Sequence, residues 1–385
     1  LNHALKVGIF DKNRRNDRVE KGTLIATPTG LGANIFSSAY GVVEDVLEDR
    51  IIIKPDEEQK DEYVKIPEGS KLDMVKAAGV VGMGGAGFPT NVKLSPKNAD
   101  EIEYIIVNAS ECEPYLTSDY RRLLDETDKV IEGLRLALAI FPKAKGIIAV
   151  EDNKPKAIQK LKEVLGNDPD IKVNSMKTKY PEGAERQLIY ANTGRYINSK
   201  MLPADAGCIV HNVDTVYSIC EAVRQGKPLI QRLVTVTGDA ITEPCNYLVR
   251  TGTSFAELIE AAGGFLQDPE KIIAGGPMMG KAIYDLNIPV TKSSSAILCM
   301  TKDEVSEYEP SNCIRCGRCV EVCPGRVMPN KLATLAEQGD LEEFQKLNGM
   351  ECCECGCCSY VCPAKRHLTQ TIAGTRKAIL ANRKK

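Results

Sequence analysis

The spacing of cysteines constrains this chain more than any other feature of its sequence. Ten of the 15 cysteines among its 385 residues lie in the short stretch between Cys313 and Cys362. They include two runs of identical spacing, Cys-x2-Cys-x2-Cys-x3-Cys-Pro, at residues 313–324 and again at residues 352–363. Clustered cysteine without a secretory signal is typical of metal binding rather than of disulfides. We therefore predict a domain organised around metal-bound thiolates.

Each run has the spacing of a cubane [4Fe–4S] cluster of the bacterial ferredoxin type. Three thiolates on a tight loop bind three irons, and the fourth cysteine, before proline, turns away and binds the partner cluster. By this rule one cluster is held by Cys313, Cys316, Cys319 and Cys362. The other is held by Cys352, Cys355, Cys358 and Cys323. Gly317 and Gly356 let the backbone wrap closely, so that exposed amides donate to the cluster sulfurs.

Two structural zinc sites are the alternative for these runs, although zinc ribbons usually use two separated Cys-x2-Cys knuckles. Cys353 and Cys357 lie within the second run but off its spacing, so we expect them not to bind metal. Five scattered cysteines are expected to be small buried residues: Cys112, Cys208, Cys220, Cys245 and Cys299. Two adjacent clusters would form a path for single electrons, which needs a donor and an acceptor.

The composition excludes several other classes of function. Lys and Arg number 50 against 52 Asp and Glu, and the net charge of -2 argues against a general nucleic-acid binder. Three histidines, and no HExxH or GxSxG motif, make zinc hydrolysis and a His-based triad poor candidates. No apolar run approaches the roughly 20 residues of a membrane span. The chain opens without an apolar signal core, so we expect it not to be secreted.

We predict four domains, of α/β and α+β class. Residues 1–65 are predicted to form short strands, and the spacing of these strands resembles that of a barrel-sandwich (biotinyl/lipoyl-like) module. Carrier modules of this kind present a modifiable lysine at a hairpin tip, but the corresponding stretch 27–38 contains no lysine. We therefore expect the module to dock or brace other domains. Residues 66–228 alternate buried strands with helices, which predicts a parallel α/β sheet. Residues 229–300 fit a small β-grasp-like domain, and residues 301–385 a helical domain that carries the cysteine runs.

The same patterns predict individual elements. A strand pair is expected around the glycine turn at Gly22. The strands predicted for the α/β domain are 104–107, 146–150 and 171–173, and its helices are 130–140 and 154–165. Beyond it we predict a strand at 233–238, a strand that runs into a turn at 271–277, a helix at 255–262 and a basic helix at 372–385.

A glycine-rich loop at residues 82–90 (GMGGAGFPT) allows a backbone to approach a phosphate or a flat ring closely. As a GxGxxG fingerprint it is imperfect, because Pro89 follows where a helix should run, and a tight structural turn is the alternative. Residues 108–114 follow a strand directly, at the end where ligands bind in such sheets. Residues 180–185 and 211–215 are predicted to lie in later loops.

In order, these four segments look like the set in the NADH-oxidising flavoprotein subunit of respiratory complex I. The whole chain resembles the RnfC-like family of Rnf electron-transport complexes more closely still. The motifs that carry this resemblance are the double cysteine run and residues 84–94, 111–115, 183–185 and 276–280. Soluble paralogues, such as the electron-transfer protein of proline reductase, share them. The resemblance implies a complex I flavoprotein-like domain at 66–228 and an SLBB-like β-grasp domain at 229–300.

The resemblance also implies that FMN is bound by the loop at 82–90 and that NADH is the substrate. Lys93 would lie near the flavin, Phe88 would stack on a ring, and no side chain is implied as catalytic, because hydride transfer depends on geometry and stacking. The residues implied to bind the cofactors are Gly82, Gly84, Gly85, Gly87, Phe88, Lys93, Asn108, Ser110, Glu113, Glu185 and Asn212. Of these, Asn108, Ser110 and Asn212 would hydrogen-bond the flavin, and Glu113 and Glu185 would face the nicotinamide nucleotide.

Some positions have other interpretations. Glu113 precedes a proline and could be a turn residue, and Glu185 could lie on a solvated helix face. The complex I pattern has an acid at Ser110, a glutamate at Ala184 and an asparagine at His211.

We therefore expect an NADH dehydrogenase-type electron-input subunit that passes electrons from NADH through FMN and two [4Fe–4S] clusters. The acceptor would be a partner protein, either the other Rnf subunits or a soluble reductase. The alternative is an electron-transfer and docking subunit with a vestigial nucleotide site. We expect a cytoplasmic protein, without a transmembrane segment, that associates with the cytoplasmic face of a membrane where its partners lie there.

Overall fold

The computed structural model describes residues 15–382, so His3 and parts of the predicted first and last domains lie outside the described residues. The strands of the described part are β1 (Arg18–Val19), β2 (Leu24–Ala26), β3 (Ile35–Phe36), β4 (Gly41–Val46), β5 (Ile51–Pro55), β6 (Tyr104–Ala109), β7 (Lys145–Glu151), β8 (Ile171–Met176), β9 (Cys208–Asn212), β10 (Gln231–Thr237), β11 (Cys245–Arg250), β12 (Lys271–Ala274), β13 (Lys281–Ile283) and β14 (Ala296–Met300).

Its α-helices are α1 (Lys71–Ala77), α2 (Thr90–Lys93), α3 (Ser118–Asp125), α4 (Thr127–Leu138), α5 (Pro155–Leu165), α6 (Glu185–Thr193), α7 (Val213–Gln225), α8 (Phe255–Ala261), α9 (Arg318–Glu321), α10 (Pro329–Gln338), α11 (Leu341–Lys346), α12 (Cys357–Tyr360) and α13 (Leu368–Asn382). Short 3-10 turns lie at Ala99–Glu101, Pro203–Ala206 and Gly349–Glu351. Over residues 15–382, no helix has the length and apolar character needed to cross a membrane.

The N-terminal β module consists of a three-stranded antiparallel sheet, β1-β4-β5, and a separate hairpin of β2 and β3. The strand pair predicted around Gly22 is wrong, because β1 pairs with β4 and β2 with β3. The loop that precedes β3 braces the module against the rest of the chain. The buried ammonium of Lys292 donates to the carbonyl oxygens of Asn34 at 2.5 Å and Gly79 at 2.7 Å.

The α/β domain contains a four-stranded sheet in the order β8-β7-β6-β9, and every neighbouring pair is parallel. The middles of its central strands are apolar because helices cover both faces; Ile105, Ile106 and Val107 are fully buried. Helices α4 and α7 pack so closely that a Cβ on Gly133 would lie 1.8 Å from the carbonyl oxygen of Val216. The predicted parallel sheet is confirmed, and the predicted strands and helices within it match the observed ones to within a few residues.

Strand β9 went unrecognised in the sequence, where residues 211–215 were expected to form a loop. His211 and Asn212 instead end β9, and Val213 begins α7. A short apolar run such as residues 208–210 could equally belong to a buried helix, because periodicity does not separate the two cases. Only its pairing with β6 identifies it as a strand.

The third domain is a mixed five-stranded sheet in the order β11-β10-β14-β12-β13, with α8 packed on it. Ser254 caps α8 and exchanges hydrogen bonds with Glu257, which gives the helix a defined start. Strand β10 pairs antiparallel with β11 and parallel with β14, which fits the β-grasp-like expectation.

The C-terminal domain is helical and contains an internal repeat, in which Cys352 lies 39 residues after Cys313. Helices α9 and α12 begin at the same place in each copy. Left-handed backbone conformations also recur at equivalent positions, with φ angles of 57° and 59° at Arg315 and Glu354, 81° and 83° at Gly317 and Gly356, and 51° and 52° at Arg326 and Lys365. The two cysteine runs therefore share one backbone conformation.

Candidate functional site

The glycine-rich loop at residues 82–90 is closed at its base by backbone hydrogen bonds. The amide of Gly82 donates to the carbonyl oxygen of Phe88 at 2.7 Å. The amide of Thr90 donates to the carbonyl oxygen of Val80 at 3.0 Å. The Met83 amide donates to Oγ1 of Thr215 at 2.9 Å, which ties the loop to the first turn of α7. The loop is therefore anchored on two sides and presents its middle outward.

Three glycines decide the shape of this loop. Gly84 and Gly87 have φ angles of 76° and 69°, which other residues adopt only with strain. A Cβ on Gly84 would lie 3.1 Å from Nδ2 of Asn212, so the loop rests on that side chain. A Cβ on Gly85 would meet no atom within 4 Å, and Phe88 is 37% exposed beside it. This open, side-chain-free surface fits the close approach of a flat ring or a phosphate.

Asn108 and Ser110 lie at the carboxyl end of β6, as the predicted ligand position requires. The Asn108 side chain donates to the carbonyl oxygen of Gly183 at 2.8 Å and accepts from the Ser110 amide at 3.2 Å. The Ser110 hydroxyl is buried and donates to the carbonyl oxygen of Ala149 at 3.3 Å. The Ser110 side chain thus ties the end of β6 to β7, and the Asn108 side chain ties it to the loop at Gly183.

Lys93 and Glu185 are brought together although 92 residues separate them in the chain. Nζ of Lys93 lies 3.3 Å from Oε1 of Glu185 and donates to the carbonyl oxygen of Val210 at 3.2 Å. Glu185 is the first residue of α6, and its side chain remains 42% exposed. A partly exposed ion pair at the edge of the glycine-rich loop can reorganise to contact a bound nucleotide.

His211 lies buried at the end of β9, and both ring nitrogens lack a hydrogen-bond partner among residues 15–382. Burial, with a smaller contribution from the positive charge of Lys93, lowers the pKa of His211 to about 3. The ring is therefore neutral at physiological pH and cannot supply a charge to an anionic ligand.

The His211 pKa predicts acid sensitivity. Because the folded-state pKa lies below the ordinary value of about 6.5, the unfolded chain binds the proton first, and stability falls as the pH drops from 6.5 towards 3. Between pH 7 and pH 5 this group should reduce the free energy of unfolding by about 2 kcal/mol. Urea titrations at both pH values should show that the free energy of unfolding falls less in His211→Asn than in the wild type. The exposed His367 provides the control, because His367→Asn should retain the full loss; equal losses in all three proteins would contradict the assignment.

A buried charge network lies beneath the loop and joins two domains. Asp214, in the first turn of α7, accepts from Nε of Arg122 at 2.6 Å and from Nη1 of Arg232 at 2.5 Å. Arg232 comes from β10 of the third domain, is 2% exposed and also contacts Sδ of Met83 at 2.6 Å. The third domain therefore helps to support the glycine-rich loop, a contact that no sequence motif indicated.

Two further acids, Asp119 and Glu111, lie next to this charge network. Asn212 donates to Asp119 at 2.6 Å, and Glu111 accepts from the amides of Asp119 and Tyr120 at the start of α3. Burial raises the pKa of Glu111 to about 8, with a further contribution from the charge of Asp119. Burial and the neighbouring Asp214 raise the pKa of Asp119 to about 6. Glu111 was not among the predicted residues, although its place in the segment 108–114 could have drawn attention to it.

Glu113 faces the third domain rather than the glycine-rich loop. Its carboxylate accepts from the amides of Met278 at 3.1 Å and Met279 at 2.8 Å. A Cβ on Gly276 would lie 2.4 Å from Oε2 of Glu113, so only glycine permits this approach. Glu113 therefore binds the turn at 276–280 to the α/β domain, and burial raises its pKa.

The first predicted ligand group surrounds one cavity, whose volume is about 360 Å³ including the part open to solvent. Its lining includes Cys313, Cys316, Cys319 and Cys362. Cys362 thus comes from the second run to join the first, as the crossed assignment predicts. The cavity also borders Arg366, whose guanidinium contacts the Cys313 thiol.

The second predicted ligand group lies in the domain interior. Cys323 and Cys352 pack against the core that contains Phe344, and both are electrostatic neighbours of Cys358. The amide of Glu354 donates to Sγ of Cys352 at 3.4 Å. Cys355 is buried, and its thiol interacts with those of the off-spacing Cys353 and Cys357.

Within residues 15–382, no three Cys, His, Asp or Glu side chains converge closely enough to hold a single metal ion. Four thiols arranged around a cavity fit a cubane, whose irons occupy separate corners, better than they fit one tetrahedral zinc ion.

Comparison with known protein families gives three matches along the chain. The Nuo51 FMN-binding domain family matches residues 75–221, the SLBB domain family matches residues 233–282, and the 4Fe-4S binding domain family matches residues 305–328. The last match covers only the first cysteine run.

Known relatives extend over almost the whole chain. One is the subunit designated C of the proton-translocating ferredoxin:NAD(+) oxidoreductase complex of Clostridium ljungdahlii. It is 44% identical over 380 residues, covering 93% of this chain and 82% of that protein. Its counterpart in the Na(+)-translocating ferredoxin:NAD(+) oxidoreductase complex of Acetobacterium woodii is 47% identical over 312 residues, covering 81% of this chain and 70% of that protein.

Among solved structures, an NAD+-reducing [NiFe]-hydrogenase in the H2-reduced state matches with a TM-score of 0.57 and 19% identity. The match covers 81% of this chain, which spans only 61% of the hydrogenase chain, and at this identity it shows a shared fold alone. It agrees with the predicted flavoprotein-like architecture. By the extent and identity of its relatives, the chain belongs to the RnfC family of ion-translocating ferredoxin:NAD(+) oxidoreductase complexes.

Proposed function

We propose that this protein is the electron-input subunit of a redox complex, in which NADH is oxidised at an FMN and electrons leave through two [4Fe–4S] clusters. The observation that carries the proposal is the position of the turn at 276–280. One side of the turn binds Glu113 of the α/β domain, and the carbonyl oxygen of Met278 lies 3.0 Å from the Cβ position of Gly356 in the second cysteine run. The turn thus connects the domain that carries the proposed flavin site to the run that carries a proposed cluster.

When bound, FMN accepts a hydride and releases its electrons singly to the iron–sulfur clusters. The chain's own residues supply binding and orientation for this chemistry. The loop glycines allow close approach, Asn212 supports Gly84 from below, and the partly exposed Lys93 and Glu185 are available to the nucleotide. Arg232 and Asp214 stiffen the loop by joining it to the third domain.

The internal repeat supports the proposal of two clusters. The first run matches a 4Fe-4S family, and the second run repeats its cysteine spacing and its left-handed backbone positions 39 residues later. A backbone that holds three thiolates around one cubane should hold three around another. Iron and acid-labile sulfide should therefore approach about eight of each per chain, whereas two zinc ions per chain would contradict the proposal.

The surroundings of the two runs support an order for electron flow. The second run packs against the α/β domain, because Oη of Tyr180 donates to the carbonyl oxygen of Cys355 at 2.6 Å and Arg186 pairs with Glu351 at 2.8 Å. In the first run, Cys313 and Cys316 are exposed. We propose that electrons enter at the second run and leave at the first.

A relay subunit with a vestigial nucleotide site is the second candidate. Ser110, Ala184 and His211 replace residues of the complex I pattern, the Ser110 hydroxyl is hydrogen-bonded to Ala149, and His211 is held neutral by burial. These observations favour weaker cofactor contacts at the strand ends.

Dye reduction separates the two candidates. Protein reconstituted anaerobically with iron and sulfide should reduce an artificial acceptor with NADH only after FMN is added. The same protein reduced by dithionite should pass electrons to the dye without FMN, which tests the clusters independently. No NADH-dependent reduction in a protein whose clusters are intact would reject NADH oxidation and leave the relay function.

The relatives' names describe subunits of proton- and Na(+)-translocating complexes. We propose that this chain likewise assembles with other subunits of such a complex, on the cytoplasmic face of a membrane. A soluble reductase is the alternative partner, and the proteins that co-purify with the native chain distinguish these two.

A further inference from the structure

The third cysteine of each run is buried to the same extent. Cys319 of the first run is 8% exposed and Cys358 of the second run is 7% exposed, and both pack in one small apolar cluster with Leu368. A long helix follows each run at the equivalent place, because α10 begins at Pro329 and α13 begins 39 residues later at Leu368. Burial therefore does not distinguish these two thiols.

The hydrogen-bond donors to the two thiols differ. In the first run, the backbone amide of Asn330, in the first turn of α10, contacts the Cys319 thiol. At the equivalent position of α13, the side chain of Thr369 contacts the thiol instead, with Oγ1 at 3.2 Å from Sγ of Cys358. The second run thus has a side-chain donor where the first run has a backbone donor.

Ser359 explains this exchange of donors. Its Oγ accepts from the amide of Thr369 at 2.9 Å, so that amide is already engaged. The same Oγ donates to Oγ1 of Thr369 at 3.1 Å, which leaves the Thr369 proton free to point at the sulfur of Cys358. The other acceptor for Ser359, Oε1 of Gln370, lies farther away at 3.3 Å. The first run has Val320 at the position of Ser359 and cannot form this chain of donors.

We propose that the Thr369 hydroxyl, oriented by Ser359, donates to the Cys358 thiolate and raises the reduction potential of the cluster that this thiolate binds. A metal-bound thiolate carries no proton, so the hydroxyl must be the donor. Its own acceptance of a hydrogen bond from Ser359 strengthens the bond that it donates. Thr369 is therefore a positioning residue that acts on the cluster through Cys358.

The hydrogen bond favours the reduced cluster. Reduction adds one electron to the cluster and increases the negative charge on its sulfurs, which then accept hydrogen bonds more strongly. No bond forms or breaks, and the hydroxyl keeps its proton. A cluster that accepts an electron more readily suits the run at which we propose that electrons enter from the flavin. The inference rests on the proposed function in requiring a cluster at the second run.

An anaerobic redox titration of the reconstituted full-length protein with dithionite, followed by EPR, tests the proposal. Thr369→Val replaces the hydroxyl with a methyl group of similar size. One of the two one-electron steps should move to lower potential by about a tenfold change in its equilibrium constant, or about 59 mV. The other step should stay in place and serves as an internal reference. Thr369→Ser keeps a hydroxyl and should titrate like the wild type.

Ser359→Ala provides an independent variant, because it leaves the Thr369 hydroxyl in place but removes its support. The same step should move in the same direction by a smaller amount. The double variant Ser359→Ala with Thr369→Val should move no further than Thr369→Val alone, because both act through one hydrogen bond. If Thr369→Val loses iron, Ser359→Ala decides the question, and an unshifted step there contradicts the proposal.

Thr375→Val is the matched control on the same helix. Its hydroxyl donates to the carbonyl oxygen of Thr371 at 3.1 Å rather than to a cysteine, so both steps should keep their wild-type potentials. Two reducible clusters with unshifted steps in Thr369→Val, an equal shift in Thr375→Val, or a Thr369→Ser as low as Thr369→Val would overturn the proposal.

The titration also separates this inference from the proposed function. Dithionite supplies the electrons, so the result does not depend on NADH oxidation or on FMN. Wild-type protein without a second reducible cluster would reject the proposed pair of clusters and this inference with it. Two reducible clusters that respond equally to every variant would reject this inference alone.

Discussion

Cys362→Ser should remove the cluster held by the first cysteine run, although Cys362 belongs to the second run in the sequence. The structure places Cys362 on the cavity lined by Cys313, Cys316 and Cys319. A cubane that loses one thiolate ligand in this setting becomes labile, so we expect iron to fall from about eight to about four per chain.

A pair of double variants makes this test decisive. If Cys313 and Cys362 bind the same cluster, then Cys313→Ser with Cys362→Ser should retain about four irons, the same as either single variant. In contrast, Cys362→Ser with Cys352→Ser should lose nearly all the iron, because each removes a different cluster. The opposite pattern would show that each run binds its own four-cysteine cluster.

Cys245 supplies the control: the expectation that it is buried is wrong, because it is exposed, and it lies far along the chain from both runs. Cys245→Ser should keep the full iron content and the full EPR intensity of the reduced protein. Cys323→Ser should behave as the counterpart of Cys362→Ser, because Cys323 packs beside Cys352 and Cys358. Loss of all iron in every single variant would mean that the two clusters assemble only together.

Gly85→Val should abolish most FMN binding while leaving the protein folded. The Cβ position of Gly85 contacts nothing within 4 Å, and Gly85 is outside the left-handed region, so valine costs the protein itself little. If the flavin lies against this loop, the added side chain occupies the space of the ligand. We expect FMN affinity to fall about 100-fold, or about 3 kcal/mol.

Quenching of flavin fluorescence measures the affinity, and thermal unfolding of the flavin-free protein checks the fold. Gly30→Val is a matched control, because a Cβ there also meets nothing within 4 Å and Gly30 also avoids the left-handed region. It should change neither the melting temperature nor FMN affinity. Unchanged FMN binding in Gly85→Val would place the flavin elsewhere and would contradict the proposed site.

Much of this architecture could be predicted because its signals are local. Cysteine spacing reflects the fixed size of a cubane, so the ligand runs are readable without a structure. The apolar strands 104–107 and 146–150 indicate a buried parallel sheet, since helices must cover both faces. The order of the glycine-rich loop and the later segments identified the family that the relatives confirm.

Other features could not be read locally. The strand at Cys208–Asn212 is defined by pairing with β6, and β1 pairs with β4 across the hairpin instead of with its neighbour. Arg232 reaches the glycine-rich loop from another domain, and no motif in β10 indicates it. In each case the decisive partner lies far away in the chain.

The sequence by itself determined which residues can bind clusters, how the chain divides and which loop is open to a flavin. Those properties follow from spacing, periodicity and the freedom of glycine, all of which act over a few residues. Only the tertiary structure decided that Arg232 supports the glycine-rich loop, that Glu113 binds the turn at 276–280 and that Cys355 is buried while its counterpart Cys316 is exposed. These depend on how distant surfaces pack, because identical local conformations acquire different surroundings from the domains that cover them.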